Sequence, residues 1–452
     1  MPALLLRYRE HYQANLLLAY PVVISQLGHT VVGLADSLIV GHKGALPLAA
    51  VSLGNSVFIV VMMIGIGISF GLTPLIAQAS GKKTHHDCGT LLSNSLLVNS
   101  VTGVVLCLLT FVVISVLGQL HEPREVVVLA KPFMAYLAVS VMPLMIFLTF
   151  KQFAEGLGFT KQAMRISIAG NIINICVGVV LVFGLFGFPS MGIIGVGIST
   201  LVDRFLMALA MGFYVLKGKR FKPFLDAFSW AALRWRSVVS LLHIGVPVSM
   251  QYFFEVSAFS FSAVMIGWTG AIALAAHQIA ISLASVTYMM ASGLAAAATI
   301  QAGNSFGQQN FGRMRFAAVS SYHLVLVFMS FTAILFIVFR GYLPLLYIKD
   351  LRVVSLASSL ILIAAFFQLF DGFQVVGLGI LRGMSDVRVP TLLTFIAYWI
   401  IGLPLAYILG IRLGWGATGI WIGLGFGLGM AAVLLLFRFL NKTTFYLSRV
   451  VE

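Results

Sequence analysis

The chain has 452 residues, of which 60% are hydrophobic and 9% are charged, and its mean hydropathy is +1.04. So few charges cannot cover a soluble domain, and the long continuous apolar runs exclude the two-residue alternation of barrel strands. The composition therefore predicts an all-α polytopic membrane protein. The net charge of +15 does not indicate nucleic acid, because the basic residues separate apolar runs and fit loop asymmetry and anionic lipid headgroups.

Apolar runs long enough to cross a bilayer recur along the whole chain. The first run is too long for the core of a signal peptide and is interpreted as a retained span. With the amino terminus inside, 20 Lys and Arg residues fall on the inner side and 7 on the outer side, which predicts cytoplasmic termini. The twelve predicted spans cover residues 14–40, 46–76, 89–118, 127–152, 164–187, 191–216, 237–266, 271–303, 316–342, 353–381, 389–411 and 416–440.

The two halves of the sequence repeat one another. GHKGALPLAA (Gly41–Ala50) matches GWTGAIALAA (Gly267–Ala276) at a spacing of 226 residues, and MGIIG (Met191–Gly195) matches WGATG (Trp415–Gly419) at a spacing of 224. Six spans per repeat insert with the same orientation, which predicts two six-helix bundles related by a pseudo-two-fold axis along the membrane normal. We expect an N-terminal lobe over residues 1–222 and a C-terminal lobe over residues 223–452, an architecture that suits alternating access.

Two predicted spans of the C-terminal half carry an acid near the middle of the membrane, Glu255 in the seventh and Asp371 in the tenth. An ionised acid in hydrocarbon is costly, so such residues usually face a cavity, a cation or a partner. Two carboxylates in one pocket can hold a cation, share a proton or exchange one for the other. The alternative for Glu255 is a neutral, hydrogen-bonded structural role.

Amide side chains accompany these acids at helical spacing. Gln251 lies one turn before Glu255, and Gln368 and Gln374 flank Asp371. The amides predicted to support a cation site are Asn174, Gln251, Gln278, Gln368 and Gln374.

The N-terminal half has its own acid, Asp36 in the first span, with Asn174 on the fifth span as a candidate neutral partner. At a spacing of 226 residues, Asp36 matches Ser262 and Glu255 matches His29. The two halves therefore differ in their chemistry.

Other polar residues in the spans are open to more than one interpretation. Asp203 and Arg204 are neighbours in the sixth span and point about 100° apart on a helix, so they are not a simple ion pair; functional and structural roles both remain open. His277 fits a hydrogen-bonded structural histidine better than a proton relay. Lys151 and Glu155, one turn apart at the inner end of the fourth span, are interpreted as an interfacial pair.

Aromatic and methionine side chains on these spans can form a wall that adapts to lipophilic cations through cation–π and polarizable contacts. The sequence contains no Walker motif, no HExxH and no GxSxG, so neither an ATP-driven pump nor an enzyme is predicted. The three cysteines indicate no zinc site, and no cofactor is expected. The candidates for a substrate cavity are Phe253, Phe254, Met289 and Phe367.

Sequence motifs throughout nearly the whole chain carry a family resemblance. They are Pro21 followed by Asp36 and Gly41, GALPLAAVS (Gly44–Ser52), FFEVSAF (Phe253–Phe259), LAAHQIA (Leu274–Ala280) and QLFDGFQVVGLGILRG (Gln368–Gly383). Together they resemble the multidrug and toxic compound extrusion (MATE) family, and most closely its bacterial NorM-like branch. The resemblance implies two six-helix lobes that export organic cations against an inward flow of Na⁺ or H⁺. It places the cation-site acids at Glu255 and Asp371, which would be the Na⁺ ligands under sodium coupling, and the N-lobe acid at Asp36 with Asn174 nearby.

The chain departs from the pattern of this family at two positions. Phe367 stands where some relatives carry a tyrosine, which removes a hydroxyl ligand for sodium. Gly178 stands where some relatives carry a second N-lobe acid, which weakens a proton mechanism confined to that lobe. The coupling ion, Na⁺ or H⁺, therefore stays open.

We predict a monomeric secondary antiporter of the inner membrane that exports small lipophilic organic cations. One alternative keeps the fold and changes the substrate, a flippase for lipid-linked precursors. Such proteins hold pyrophosphate with Arg and Lys, and the sequence places only Arg204 in the middle of a span. An intramembrane enzyme would need convergent catalytic groups, which His277 alone does not supply.

Overall fold

The computed structural model describes residues 2–119, 123–229 and 233–451, which are helical throughout apart from short connections and contain no strand. Twelve helical stretches of the described chain are long and apolar enough to cross a membrane, which confirms the predicted number of spans. The helices are α1 (Pro2–Gly41), α2 (Ala45–Ser69), α3 (Leu72–Gly81), α4 (His85–Val116), α5 (Arg124–Gly156), α6 (Thr160–Phe183), α7 (Ile193–Lys217), α8 (Trp235–Trp268), α9 (Ala271–Gly307), α10 (Phe311–Phe339), α11 (Leu351–Gly383), α12 (Arg388–Phe395), α13 (Leu403–Tyr407) and α14 (Gly416–Val451).

Most helices extend beyond the predicted spans, because a helix continues past its apolar segment until a cap or a glycine ends it. The second span contains α2 and α3, which meet at a bend around Phe70 and Gly71. The last helix begins at the predicted residue 416 but continues to Val451, well beyond residue 440.

Packing divides the chain into two compact units. The N-unit is Ile24–Ser249, and the C-unit combines Met1–Val23 with Met250–Glu452. The first part of α1 thus belongs to the C-unit, and the first part of α8 belongs to the N-unit. The lobe boundary predicted from the repeat, between residues 222 and 223, remains a prediction about the duplicated sequence.

The first parts of α1 and α8, each of which packs in the other half's unit, approach their neighbouring helices closely at glycines. A Cβ on Gly67 would lie 2.4 Å from the Cα of Ser249 within the N-unit. A Cβ on Gly293 would lie 2.3 Å from Cγ2 and 3.0 Å from the backbone nitrogen of Val23 within the C-unit. Gly67 and Gly293 are 226 positions apart, and so are the residues they contact, Ser249 and Val23. The repeat therefore extends to these two helix crossings. The Ser249 hydroxyl also donates to the carbonyl of Ile64 at 2.8 Å.

Small residues also fix α11 against α9 in the C-unit. A Cβ on Gly379 would lie 2.5 Å from the carbonyl oxygen of Ala295, and one on Gly383 would lie 2.6 Å from that of Thr299. The Thr299 hydroxyl donates to the Gly379 carbonyl at 2.8 Å. Close backbone packing of this kind is typical of membrane helices and holds the part of α11 that follows Asp371.

The eleventh span is not a regular α-helix. It passes through π-helical turns at Ile396–Gly402 and Ile408–Arg412, on either side of the short α13. Pro404 in α13 lacks the N–H of a regular helical hydrogen bond, and the wider turns adapt the chain to this gap. The neighbouring α14 is glycine-rich, and a Cβ on Gly423 would lie 2.3 Å from the backbone nitrogen of Ala406. Single π-helical turns occur frequently at functional sites.

Candidate cation-binding site

The two acids of the C-terminal half come together in the C-unit. Glu255 on α8 is 6% exposed and Asp371 on α11 is 5% exposed. Their carboxylates are close enough to repel one another when both are ionised. Burial makes two ionised carboxylates costly unless a cation or a proton neutralises them.

Buried amides next to these carboxylates have unused hydrogen-bonding atoms. The Gln251 side chain donates through Nε2 to Thr391 Oγ1 at 3.0 Å and to the Val387 carbonyl at 3.3 Å. Its Oε1 has no hydrogen-bond partner among the described residues, and neither amide atom of Gln368 has one. These two oxygens are available to a hard cation, which prefers oxygen ligands.

Two tyrosines that the sequence analysis missed also belong to this region. The hydroxyl of Tyr398, in a π-helical turn, donates to Gln374 Oε1 at 2.7 Å. Tyr398 and Tyr288 both interact electrostatically with both carboxylates, so the region has hydroxyl groups although the chain has Phe367. A signal was available, since the spacing of 224 residues that matches the two halves near their ends also matches Asn174 with Tyr398.

One basic residue acts on the Glu255 carboxylate. The Arg382 guanidinium lies 5.8 Å from the ring centroid of Tyr252 and attracts Glu255. Asp371 repels Glu255, so the site has two carboxylates and one guanidinium. The charges of the C-unit site therefore favour an additional cation.

Two of the aromatic candidates, Phe253 and Phe254, lie on the same helix as Glu255. Phe253 is 36% exposed, and its ring centroid is 6.1 Å from that of Phe254. Phe254 packs against Phe395 with ring centroids 4.9 Å apart, and its carbonyl accepts a hydrogen bond from Trp399 Nε1 at 3.2 Å. The exposed Phe253 ring is thus backed by ordered aromatic contacts.

The remaining candidates differ in how far their side chains are exposed. Met289 is partly exposed and Gln278 is exposed, whereas Phe367 is 7% exposed and packs edge-on against Trp421. Phe367 thus contributes to helix packing. Trp421 Nε1 also donates to His277 Nδ1 at 3.1 Å, which confirms the prediction that this histidine is hydrogen-bonded.

The acid predicted in the N-terminal half is also buried. Asp36 on α1 is 8% exposed, and its Oδ1 has no hydrogen-bond partner among the described side chains. On α6, Asn174 donates to Thr200 Oγ1 at 3.4 Å and keeps an unpartnered Oδ1. The two helices come close, since a Cβ on Gly28 would lie 2.4 Å from Asn171 Nδ2.

Asp203 and Arg204 are next to one another on α7 and form no ion pair with each other, as the helical geometry predicts. Arg204 Nη1 instead donates to Ser140 Oγ at 2.7 Å, and its guanidinium carbon lies 5.4 Å from the ring centroid of Phe58. Asp203 is 5% exposed and keeps an unpartnered Oδ1.

Lys151 and Glu155 are 5% and 4% exposed, so their ion pair is buried inside the N-unit. The distance from Lys151 Nζ to Glu155 Oε1 is 3.9 Å, and Lys151 also donates to Ser25 Oγ at 3.4 Å. The position of the pair at one end of a span did not indicate this burial.

The described residues contain no group of three or more His, Cys, Asp or Glu side chains that could hold a metal ion. The polar side chains near Glu255 and Asp371 carry amide and hydroxyl oxygens. The donor set is made of oxygen atoms and fits a hard monovalent cation.

The fold and the buried acids define a duplicated, multi-pass membrane protein with twelve spans. A family model described as MatE matches residues 21–180 and 247–408. The chain therefore belongs to the MATE family, as the sequence motifs indicated, and the expectation that it is not an enzyme is confirmed.

Curated relatives match over almost the whole length of the chain. A protein named Multidrug resistance protein MdtK from Yersinia pseudotuberculosis serotype O:1b (strain IP 31758) is 34% identical over 98% of this chain and 99% of its own length. A protein of the same name from Yersinia enterocolitica serotype O:8 / biotype 1B (strain NCTC 13174 / 8081) is 33% identical over 96% of each chain.

Solved structures share the fold at lower identity. The eukaryotic MATE transporter AtDTX14 superposes with a TM-score of 0.89 and 20% identity, over 98% of this chain and 99% of its own. The outward-facing conformation of a multidrug resistance MATE family transporter gives a TM-score of 0.87 and 19% identity over 97% of each chain. The two-lobe, all-α fold predicted from the sequence is confirmed.

Proposed function

We propose that the protein is a secondary active multidrug antiporter that exports lipophilic organic cations in exchange for Na⁺ or H⁺ by alternating access. The observation that carries this proposal is the buried, mutually repelling pair Glu255 and Asp371 in the C-unit. The names of the MdtK relatives support efflux of several drugs. The excess of Lys and Arg on the predicted inner side supports an inner-membrane protein with cytoplasmic termini.

Neutralisation of the pair by a cation couples ion binding to conformation. Without a cation, two buried carboxylates repel each other, and a conformation that leaves them hydrated is favoured. A bound Na⁺ or H⁺ removes this cost and allows the opposite conformation. Drug and ion then need only prefer different conformations, and a difference of about 1–3 kcal/mol is typical of such coupling.

The residues of the C-unit offer ligands for either coupling ion. For sodium, Gln251 and Gln368 add amide oxygens and Tyr398 or Tyr288 adds a hydroxyl. For protons, the two carboxylates are sufficient. Asp36, with Asn174, is a second candidate cation site in the N-unit, and its use depends on the nearby Arg204, which attracts the same carboxylate.

The aromatic residues near Glu255 are proposed to contact the drug. Phe253 offers an exposed ring and Met289 a partly exposed thioether, and both suit flat lipophilic cations. Phe254 packs edge-on against Phe253 and holds its ring in place. The buried Phe367 packs against Trp421 and contributes to helix packing. We expect a single chain, working as a monomer, to supply the whole transport path.

The test is ethidium efflux from proteoliposomes that contain the purified protein. One set has an inward sodium gradient at fixed pH, and the other has an inward proton gradient without sodium. Efflux with sodium alone would assign Na⁺ to the carboxylates of the C-unit, and efflux with protons alone would make them proton carriers. Liposomes with Glu255→Gln protein are the control, because this variant keeps the shape of the side chain and removes its charge.

An absence of efflux under both gradients would contradict the proposal and favour the flippase. The structure gives that alternative little support. Lys151 is buried but already paired with Glu155. Arg204 is partly buried, and among the described residues it forms no ion pair and donates to Ser140.

A further inference from the structure

Arg204 is held on one side of a buried polar cluster in the N-unit. Its guanidinium donates to Ser140 on α5 at 2.7 Å and lies over the Phe58 ring on α2 at 5.4 Å. Ser140 is completely buried and Phe58 is 5% exposed, so both contacts are inside the unit. An arginine stays charged in any such environment, and its long side chain can reach more than one acceptor.

Two carboxylates lie within electrostatic range of this guanidinium without touching it. Asp36 and Asp203 both interact with Arg204, yet neither forms an ion pair or a hydrogen bond with it. The Oδ1 atoms of both acids are buried and have no hydrogen-bond partner among the described residues.

The backbone is shaped to hold Asp203 at this place. A Cβ on Gly170 of α6 would lie 2.4 Å from Asp203 Oδ1, so only glycine allows the carboxylate to lie against that helix. The next residue of α6, Asn171, is 7% exposed and has an unpartnered Nδ2. Asp203 thus lies close against α6 at Gly170.

The guanidinium acts on its acids differently from the one in the C-unit. Arg204 attracts both Asp36 and Asp203. In the C-unit, Arg382 attracts Glu255, which Asp371 repels. The two N-unit acids therefore share one cation of the protein itself.

We propose that Arg204 is a tethered cation that competes with the coupling ion for Asp36 and Asp203, and so prevents the N-unit from exchanging an ion of its own. The inference rests on the proposed antiport and assigns each unit a separate part in it. In the described conformation the guanidinium is held by Ser140. A movement of its side chain toward the two carboxylates would displace any cation bound there.

The test counts sodium ions bound per chain, using ²²Na⁺ as the probe at alkaline pH, where proton competition is weak. Arg204→Gln should bind one more sodium ion per chain than the wild-type protein. Arg204→Lys keeps the tethered charge and should bind the wild-type number. Arg204→Gln combined with Asp36→Asn should return to that number, because the acid that takes the extra ion is removed.

An unchanged sodium count in Arg204→Gln protein that still binds ethidium would overturn the proposal. Two sodium ions on the wild-type chain at saturation would also overturn it, and this measurement needs no variant. The proposal predicts a difference of one bound sodium ion per chain between Arg204→Gln and the wild-type protein. A wild-type protein that binds no sodium would argue against sodium at the C-unit, and the difference between the two proteins could still be measured.

Discussion

The N-unit and the C-unit are built from one repeat but place the buried acids that lack an ion pair among the described residues at different positions of that repeat. The C-unit has Glu255 on α8 and Asp371 on α11, whereas the N-unit has Asp36 on α1 and Asp203 on α7. In the matched register of 226 residues, α8 is the repeat of α1, yet Glu255 falls opposite His29. The duplication kept the packing of the helices and allowed their chemistry to move.

Arg204 of the N-unit likewise has no basic counterpart at the matched position of the C-unit. At the spacing of 224 residues that matches α7 with α14, Arg204 falls opposite Leu428, which is completely buried among apolar residues. The C-unit thus lacks a tethered cation at that position. A functional role found in one unit cannot be transferred to the other through the repeat.

The largest expected effect separates the acids of the two units. Glu255→Gln or Asp371→Asn should reduce gradient-driven ethidium efflux to the level of empty liposomes. Each variant leaves the coupling ion one carboxylate in place of two, and so removes half of the negative charge that binds it. Asp36→Asn should reduce efflux less, because Arg204 already compensates the charge of that acid. Equal loss in all three variants would remove the proposed division between the units; Glu255→Asp, which keeps the charge, is the control.

A smaller effect tests the packing that both units share. Alanine at Gly67 or Gly293 forces a Cβ into the neighbouring segment, and overpacking of this kind costs about 1–3 kcal/mol. Gly67→Ala should lower the thermal unfolding temperature in detergent more, since its Cβ meets the Ser249 backbone at 2.4 Å, whereas that of Gly293 first meets a side-chain methyl of Val23. Gly33→Ala is the matched control, because nothing lies within 4 Å of its Cβ. Unfolding temperatures equal to that of the control would show that the crossings are looser than described.

The smallest expected effect sharpens the description of the C-unit site. Tyr398→Phe removes the hydrogen bond to Gln374, and an interhelical hydrogen bond in a membrane contributes about 0.6–1.7 kcal/mol. The coupling-ion concentration for half-maximal efflux should therefore rise about 3- to 18-fold. Tyr322→Phe is the control, since that buried hydroxyl lies in the same unit and has no hydrogen-bond partner among the described residues. A shift of equal size in both variants would argue against a specific role for Tyr398.

The sequence was sufficient for the spans, the repeat and the acids, because each of these depends on a pattern along one segment. A run of apolar residues is a local property, and a charged residue within it stands out whatever it contacts. The matched segments of the two halves likewise needed only a constant spacing. The bounds of the packing units could not be predicted, since they depend on contacts between helices that are far apart in the chain.

The side-chain partners were beyond sequence reasoning for the same reason. Tyr398 lies in a π-helical turn and donates to Gln374 on another helix. The contact between Arg204 and Ser140 joins two residues that are 64 positions apart in sequence. Phe367 was selected as a cavity residue from its composition and position, but its contact with Trp421 places it in the packed interior. Residue type gave the chemistry available, and tertiary contacts decided which groups meet.

The exchange of the first parts of α1 and α8 has a consequence for biosynthesis. The beginning of α1 is made first, but its contacts, such as the hydrogen bond from Asn15 to Ser320 at 2.8 Å, involve helices translated about 300 residues later. The early segment must wait in the membrane until those helices arrive, and the N-unit is completed only when α8 emerges. A gene cut between the two repeats would yield two fragments that each lack a segment carried by the other, so they should mature only when both are produced in the same cell.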